Sequence, residues 1–469
     1  MRKFFIIALT LLLSVGTMIA EDYSGSCGTN LTWSLNTTDS TLVITGNGAM
    51  NAWSGWTDAP WYNYKSFIRN VHLPNGLTSI SKYAFYECSN LIAIEIPNSV
   101  TSIGGGAFIN CTKLTGEIVI PNGVTRIEGS TFSHCSNLTN VVIPNSVRSI
   151  GSEAFTRCYG LTSVEIPSSV ISIGLRAFNW CSELTSVHIS DLAAWCSITF
   201  EDEYSNPLYF ATHLFKDGQE IKDLVIPDGV TSIKGYAFDC CYGLTSVEIP
   251  NSVKDIEVDA FRGCYYIKNV KFGNNVKSIG DRVFYLCGDL TKIELPSSIT
   301  NIGKEAFYGC GAVSYISCNA ITPPTCGDKP FIDVHKSLPL YVPTESIEAY
   351  KTADVWKEFT SILPLVATIE GDYTIQYVDK AGDSLYKEIV TLHVPEAPEI
   401  NGFKFLKWQA SGDLENGIIL QAIYTADEPT AAPSEYVNPS NPSQKLIRNE
   451  NVYILTGDNT YTLQGQKIQ

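Results

Sequence analysis

The stretch Val164–Ser186, which reads VEIPSSVISIGLRAFNWCSELTS, decides the fold of this chain. Close copies of it follow one another about every 23 residues and fill most of residues 71–318. A fixed period of 20 to 50 residues is typical of a solenoid, in which every repeat forms one turn. The period is marked by an Ile-Pro or Leu-Pro pair, at Leu73-Pro74, Ile96-Pro97, Ile120-Pro121, Ile143-Pro144, Ile166-Pro167, Ile226-Pro227, Ile249-Pro250 and Leu295-Pro296.

Each part of the repeat has a physical interpretation. Leu161–Ile166 alternates between two faces and predicts a short, half-buried strand. Pro167 ends that strand because proline cannot donate to the ladder. Gly174 predicts a backbone turn that other residues resist, and Phe178 is expected to pack inward. One repeat buries too few apolar side chains to outweigh the entropy of ordering its backbone, so neighbouring turns must stack.

The pattern Ile-Pro-x-x-Val-x-x-Ile-Gly-x-x-Ala-Phe-x-x-Cys-x-x-Leu resembles the BspA-like class of leucine-rich repeat proteins. The resemblance implies a right-handed repeat solenoid with a parallel β-sheet, short turns and helical pieces. It also implies an exported bacterial surface protein of the kind discussed as adhesins or host-contact proteins. It supplies no catalytic residue, cofactor or metal ligand.

The segments before the repeats indicate export and capping. Residues 1–20 have the basic, apolar and small-residue layout of a secretory signal peptide, and the alternative, a membrane anchor, needs a longer apolar run. No other stretch is long and apolar enough to span a bilayer. Residues 21–70 predict an N-terminal β cap, in which an aromatic cluster (Trp53, Trp56, Trp61, Tyr62 and Tyr64) either covers the first turn or stacks on glycans.

The segments after residue 318 predict a cap, a module, a linker and a tail. Residues 319–365 resemble the terminal cap of the same family, with a helix from Ser346 to Lys357 that Thr344 could cap. Residues 366–425 resemble one internalin-type B-repeat, a small all-β module. Residues 426–444 predict an extended linker, because they are rich in Pro, Ser and Ala. Residues 445–469 resemble the short sorting tails of type IX secretion, or form a β-hairpin without that role.

Nine of the 14 cysteines occupy one repeat position: Cys88, Cys111, Cys135, Cys158, Cys181, Cys241, Cys264, Cys287 and Cys310. Such spacing predicts one column rather than a metal cluster, which needs convergent ligands. Stacked side chains fit the disulfide torsion poorly, so we interpret the column as buried thiols. Cys318 and Cys326, with seven residues including Thr-Pro-Pro-Thr between them, are the candidate disulfide.

Two surfaces are candidates for binding a partner. One is the outward row of the strands, and the other lies in an insertion within residues 191–223, where one turn carries 14 extra residues. The row is either a partner-binding face or a solvated sheet face, and the insertion either binds glycan or seals a bulged turn as a hydrophobic lid. The row holds Glu95, Val119, Val142, Glu165, His188, Val225, Glu248, Lys271 and Glu294, and the insertion holds Trp195, Tyr204, Tyr209 and Phe210.

Composition and motifs exclude several functions. The net charge of −16 disfavours nucleic acid and anionic lipid. The six histidines are scattered and no catalytic signature is present, so we expect no enzyme activity, cofactor or metal. The sequence predicts an adhesin-like protein that binds an extracellular protein through the solenoid. Glycan binding by the insertion, or a passive structural role at the surface, are the alternatives, and the oligomeric state stays open.

Overall fold

The computed structural model describes residues 22–365 without a break and, beyond them, the backbone of seven strands between residues 373 and 462. The chain divides into two compact units, Met1–Pro364 and Leu365–Gln469. The predicted signal peptide and the interior of the predicted linker, residues 427–443, lie outside the described residues.

The first three strands start the stack. Strands β1 (Asp22–Gly28), β2 (Leu31–Asn36) and β3 (Thr41–Ala49) form an antiparallel meander. The first half of β3 then pairs in parallel with β4 (Asn70–His72), and its second half pairs with β5 (Gly76–Ile80). One long strand therefore provides the starting template for two parallel ladders.

Most turns of the solenoid contribute one strand to each of two ladders. The front ladder holds the strands that end at the Ile-Pro pair, and the side ladder holds the two-residue strands that follow it. The front-ladder strands after β4 are β6 (Ala93–Ile94), β8 (Gly116–Val119), β10 (Leu138–Val142), β12 (Ser163–Ile166), β14 (Ser186–Ile189), β16 (Leu214–Lys216), β18 (Asp223–Val225), β20 (Ser246–Glu248), β22 (Asn269–Lys271), β24 (Lys292–Leu295), β26 (Tyr315–Cys318), β28 (Pro339–Val342) and β29 (Ser361–Pro364).

The strands of each ladder are parallel, and the solenoid has about 13 turns, which confirms the predicted repeat solenoid with its period of about 23 residues. After β5 its strands are β7 (Ser102–Ile103), β9 (Arg126–Ile127), β11 (Ser149–Ile150), β13 (Ser172–Ile173), β15 (Thr199–Phe200), β19 (Ser232–Ile233), β21 (Asp255–Ile256), β23 (Ser278–Ile279), β25 (Asn301–Ile302) and β27 (Thr325–Cys326). The short strand β17 (Gln219–Glu220) forms a hairpin with β16.

The core is built from columns of identical residues. The phenylalanines are fully buried, and their rings stack from turn to turn, with centroids 5.2 Å apart between Phe85 and Phe108 and 5.6 Å apart between Phe132 and Phe155. The cysteine column lies beside them, and the thiol of Cys111 donates to the Phe85 carbonyl of the preceding turn at 3.2 Å. The structure holds all 14 cysteines as free thiols.

The repeat glycine has a different role from the one that its sequence predicts. Gly104 and Gly174 are absent from the left-handed region of the backbone. A Cβ atom at Gly174 would lie 2.6 Å from the backbone nitrogen of Ser152 in the preceding turn, so close packing of the turns requires the glycine. The left-handed residues instead stand before the Ala and before the Cys of the repeat, as at Glu153 and Arg157, with φ of 57° and 58°.

The C-terminal end of the stack is closed by α3 (Ile347–Thr352) and β29, after α1 (Leu192–Cys196) and α2 (Leu208–Ala211) in the insertion. The helix is shorter than predicted because Ala353 is extended, and the Thr344 side chain makes no capping hydrogen bond. The chain then turns Trp356 into the core, where its indole N–H donates to the Pro324 carbonyl at 2.9 Å.

The second unit is all-β in the strands that are described. Strands β30 (Tyr373–Val378) and β31 (Ser384–Val390) form a hairpin. The other five form one antiparallel sheet in chain order, β32 (Phe403–Asp413), β33 (Gly417–Ala426), β34 (Gln444–Arg448), β35 (Asn451–Thr456) and β36 (Asn459–Thr462). Strands from the predicted module and from the predicted tail therefore share a sheet.

Candidate functional site

The outward row predicted from the sequence lies on the front ladder, whose neighbouring strands pair in register within short parallel sheets. Glu165 is paired with His188, and Val119 with Val142, in adjacent parallel strands. Each row residue lies at or near the C-terminal end of its strand, between two residues that point into the core, as Glu165 lies between Val164 and Ile166. The structure therefore brings the row together as one surface. The charge, exposure and hydrogen bonds of its side chains differ from one end of the row to the other.

In the C-terminal part of the row, the charged side chains already have partners within the protein. The Lys271 ammonium lies 2.7 Å from a carboxylate oxygen of Glu248 in the preceding strand. The Glu294 carboxylate accepts a hydrogen bond from the Tyr315 hydroxyl at 2.6 Å and lies 2.9 Å from the Lys292 ammonium. A partner that used these groups would first have to displace interactions that the protein already makes.

The middle of the row includes a residue that sequence reasoning missed. The ring of Phe215 follows His188 in register, and the two rings stack with centroids 5.1 Å apart. Beside them, Nδ1 of His213 lies 2.6 Å from a carboxylate oxygen of Glu220 in the β16–β17 hairpin. The insertion displaces Phe215 from the 23-residue period, and its place in the row could have been found only by aligning Leu214 with Val187.

The N-terminal part of the row is apolar and flanked by acids. Val119 and Val142 are 50% and 39% exposed and lie side by side in paired strands, so they form one contiguous apolar surface. Within residues 22–365 the carboxylates of Glu95 and Glu165 on either side make no hydrogen bond or ion pair. We call these four residues the valine patch. A groove of about 570 Å³ runs beside it, lined by residues that include Ile94, Ile96, Pro97 and Glu117.

The insertion is largely a sealed turn. Trp195 is 1% exposed, and its indole N–H donates to the Ala237 carbonyl at 2.8 Å. This corrects its assignment as a candidate partner-binding residue, because an apolar ring on a bulged turn gains more from entering the core than from facing water. Tyr204, Tyr209 and Phe210 form a half-buried row of rings with centroids 4.9 and 5.1 Å apart, and burial raises the pKa of Tyr209 to about 12.

The aromatic cluster of the N-terminal cap has two parts. Trp61 is fully buried and donates its indole N–H to the Ala84 carbonyl at 2.7 Å, and Trp53 packs edge-on against it. The Tyr64 ring stacks on the Tyr23 ring, with centroids 3.7 Å apart. These residues close the first turn. Trp56 takes no part in that closure, since it is 58% exposed.

A buried charge network lies on the turns behind the core, and the sequence pattern did not reveal it. Arg262 donates to both carboxylate oxygens of Asp239 at 2.9 and 2.8 Å. Arg282 likewise binds the carboxylate of Asp259 through two nitrogens. Both aspartates are buried, and burial raises the pKa of Asp239 to about 6 although Arg262 opposes the shift. We call these four residues the charge ladder.

No group of three or more His, Cys, Asp or Glu side chains is placed to hold a metal ion in the part of the chain that the structure describes. Among the described helices, none has both the length and the apolar character that crossing a bilayer requires.

Comparison with known proteins identifies relatives of the repeats. The family described as the BspA type leucine rich repeat region matches in six copies over residues 61–185, 115–214 and 208–323, which together exceed half of the chain. No relative was found among curated proteins.

Solved structures of leucine-rich repeat proteins are also similar. A leucine rich cell surface protein from Faecalibacterium prausnitzii is 25% identical, with 65% of this chain and 94% of that chain covered and a TM-score of 0.36. A leucine-rich repeat protein from Bacteroides ovatus is 23% identical, with 72% and 98% covered and a TM-score of 0.35. One from Eubacterium ventriosum is 20% identical, with 73% and 93% covered and a TM-score of 0.40.

Proposed function

Because this chain belongs to the BspA-type leucine-rich repeat family, we propose that it is an exported surface or secreted protein that binds an extracellular protein through the valine patch. The observation that carries the proposal is the exposure of Val119 and Val142 between two carboxylates that have no partner within residues 22–365. The signal-peptide layout of residues 1–20 supports export, and the resemblance of residues 445–469 to sorting tails supports the type IX route.

The chemistry of the patch fits a protein with a small apolar protrusion and basic neighbours. Covering the two valines removes apolar surface from water, at about 25 cal/mol per Å². Glu95 and Glu165 then pair with Lys or Arg of the partner, and such pairs also steer association. The groove beside Ile94 and Pro97 gives the protrusion a place to insert.

The other end of the row is a poorer site. Lys271 and Glu248 already pair, and the Glu294 carboxylate already has a hydroxyl and an ammonium beside it. Binding there would exchange one set of polar contacts for another, with little net gain. We therefore place the contact at Glu95 and Glu165 and give Glu248, Lys271 and Glu294 a supporting role on a solvated face.

The test compares lysine substitutions on one row. The full chain is first screened against a panel of extracellular-matrix and cell-surface proteins. For a partner that binds saturably, Val119→Lys with Val142→Lys should weaken binding tenfold or more, which equals about 1.4 kcal/mol for each factor of ten. Val225→Lys is the matched control, because Val225 is an exposed valine of the same row beyond the insertion.

Two results would contradict the proposal. Equal affinities of the double variant and the parent would move the site away from the patch, and Glu165→Lys, Glu248→Lys and Glu294→Lys would then locate it on the rest of the row. A panel without any saturable partner would favour the passive structural role.

A further inference from the structure

Four aromatic side chains form a cluster at the N-terminal end of the solenoid, in which Trp56 is exposed and the three tyrosines are half-buried. The Trp56 ring centroid lies 5.6 Å from that of Tyr86 and 6.3 Å from that of Tyr83. Tyr62 extends the cluster, 6.4 Å from Tyr86. We call these four residues the aromatic platform. It lies on the turns around Ala84 and not on the front ladder, so it is separate from the valine patch.

Closure of the solenoid does not require the platform. Trp61 already covers the end of the phenylalanine column, with its ring 5.9 Å from Phe85 and its N–H bonded to Ala84. Trp56 keeps more than half of its surface in water, whereas Trp61 keeps none. Leaving a large indole exposed forfeits the free energy of burying it, and exposed aromatic clusters commonly mark binding sites.

The loop that carries Trp56 is fixed by its own hydrogen bonds. The Asp58 carboxylate accepts from the backbone N–H groups of Ser54 and Gly55, at 3.0 and 2.7 Å. These bonds favour the ionised form and lower the pKa of Asp58. The loop is therefore closed across Trp56, and the indole is held outward before any ligand arrives. Such preorganisation reduces the entropy lost on binding.

The charges around the platform cancel. The Lys65 ammonium lies 3.6 Å from the centroid of Tyr62 and 3.2 Å from a carboxylate oxygen of Glu87. The Lys82 ammonium lies 4.7 Å from the centroid of Tyr83, and the Asp58 carboxylate lies in the loop that carries Trp56. These two cations and two anions sum to no formal charge, so the residues around the rings favour neither an anionic nor a cationic ligand. It offers ring faces for C–H groups and polar tips for hydroxyls.

We propose that the aromatic platform binds one or two pyranose units of a neutral glycan. An uncharged sugar ring presents an apolar C–H face and a rim of hydroxyls, which match the Trp56 and Tyr86 rings and the Lys65–Glu87 pair. The inference does not depend on the valine patch. Its failure would leave the proposed protein-binding function in place.

The test applies the full chain to an array of neutral, sialylated and sulfated oligosaccharides. Retention on neutral glycans is expected, and Trp56→Ala should reduce it tenfold or more. Trp180→Ala is the matched control, because Trp180 is an exposed tryptophan elsewhere on the solenoid and should leave retention unchanged. Asp58→Asn should weaken retention less than Trp56→Ala does, since it loosens the loop and keeps the ring.

Several outcomes would overturn the proposal. No retention of the parent chain on any neutral glycan would end it, as would equal losses in Trp56→Ala and Trp180→Ala. A preference for sialylated or sulfated glycans would contradict the neutral class. If Trp56→Ala instead abolished binding to a protein of the panel, the platform would be part of a protein interface. Trp56→Ala should keep the parent's melting temperature, which separates loss of the site from loss of the fold.

Discussion

The thiol of Cys158 shows what one repeat position contributes at the residue scale. It is fully buried and donates to the Phe132 carbonyl of the preceding turn at 3.2 Å. Burial raises the pKa of this thiol to about 12, so it stays neutral and unreactive at physiological pH. The sequence spacing predicts the column, but the acceptor depends on the path of the neighbouring turn, which no single repeat encodes.

The first prediction concerns thiol reactivity. In folded protein at pH 8, a maleimide should label none of the nine column cysteines within the time that labels an unfolded control completely. The reason is that only the thiolate reacts, and burial both hides these groups and disfavours ionisation. Peptide mapping by mass spectrometry gives the readout, and fast labelling of Cys158 in folded protein would contradict the buried column.

The pair Cys318 and Cys326 stays a predicted disulfide. The structure holds both as free thiols, and Cys318 accepts a hydrogen bond from the Tyr350 hydroxyl at 3.2 Å. The mapping above also settles this pairing, because a bridge makes the joined peptides lighter by two hydrogens and removes both residues from the labelled set.

Tryptophans show where residue-level prediction stops. Trp56 and Trp195 both lie outside the repeat pattern, and the sequence assigns each either to a binding surface or to a cover. The structure exposes the first and buries the second. The difference arises from the Asp58 loop in one case and from the nearby Ala237 carbonyl in the other. Neither contact has a sequence signature.

At the element scale, the turns are joined by more than their strands. The N–H of Phe155 donates to the Ala177 carbonyl at 2.8 Å, and that of Arg157 donates to the Asn179 carbonyl at 2.7 Å. Left-handed residues before the Ala and the Cys orient these groups along the stack. The period predicts that the turns stack, whereas these conformations escape prediction because the residues that adopt them vary from Tyr to Gly.

The charge ladder joins three consecutive turns and gives the second prediction. Arg262→Leu should destabilise the protein by about 3–5 kcal/mol, because it leaves the Asp239 carboxylate buried without its partner. The double change Asp239→Leu with Arg262→Leu should recover most of that loss. Urea unfolding measures both, and Arg157→Leu, an exposed arginine of an earlier turn, is the control.

The contribution of the charge ladder to stability depends on pH through the pKa of Asp239. The folded pKa of Asp239, about 6, lies above its ordinary value, so the folded state keeps this proton longer than the unfolded state. The contribution of the Asp239 carboxyl to the free energy of unfolding is greatest below about pH 4 and falls as the pH rises to 6. Without Arg262 the folded pKa rises further, so the deficit of Arg262→Leu should shrink between pH 7 and pH 5. A constant deficit would contradict the assignment.

At the scale of the whole solenoid, the insertion divides the stack. Within the described residues, no strand before it pairs with a strand after it, since the two sheets end at β17 and β15 and new ones start at β18 and β19. Side chains bridge the gap. Trp195 donates to the Ala237 carbonyl, and the buried Asn206 amide donates to the Tyr236 carbonyl at 2.6 Å. Two backbone bonds also cross it, from the Lys234 N–H to the Cys196 carbonyl and from the Gly243 N–H to the Thr212 carbonyl, so a few groups replace the strand ladders there.

The third prediction tests this joint. Trp195→Ala should cost about 3–5 kcal/mol and separate unfolding into two steps, because it removes both core volume and the bridging hydrogen bond. Hydrogen exchange should then protect residues 71–189 and 223–326 to different degrees. Trp180→Ala should change stability by no more than about 0.5 kcal/mol. A single cooperative transition in Trp195→Ala would mean that the joint is not the weak point.

The whole fold was the most predictable feature, since Ile166-Pro167, Phe178 and Cys181 recur at a constant spacing and every turn needs the next. The register across the insertion was not, because Phe215 stands 27 residues after His188 where the period gives 23. The outward row followed from strand alternation, but which of its carboxylates have partners depends on neighbouring side chains such as Tyr315 and Lys292.

Three buried tryptophans, Trp61, Trp195 and Trp356, each donate to a backbone carbonyl of a nearby turn, at the two ends and at the joint. Apart from the charge ladder, the turns between them repeat the same phenylalanine and cysteine contacts, so a gene can gain or lose a 23-residue segment there without redesigning either end. Each such event changes the length of the stack by one strand spacing, about 4.8 Å. The length of the stack, and with it the distance between its two ends, therefore evolves in fixed increments.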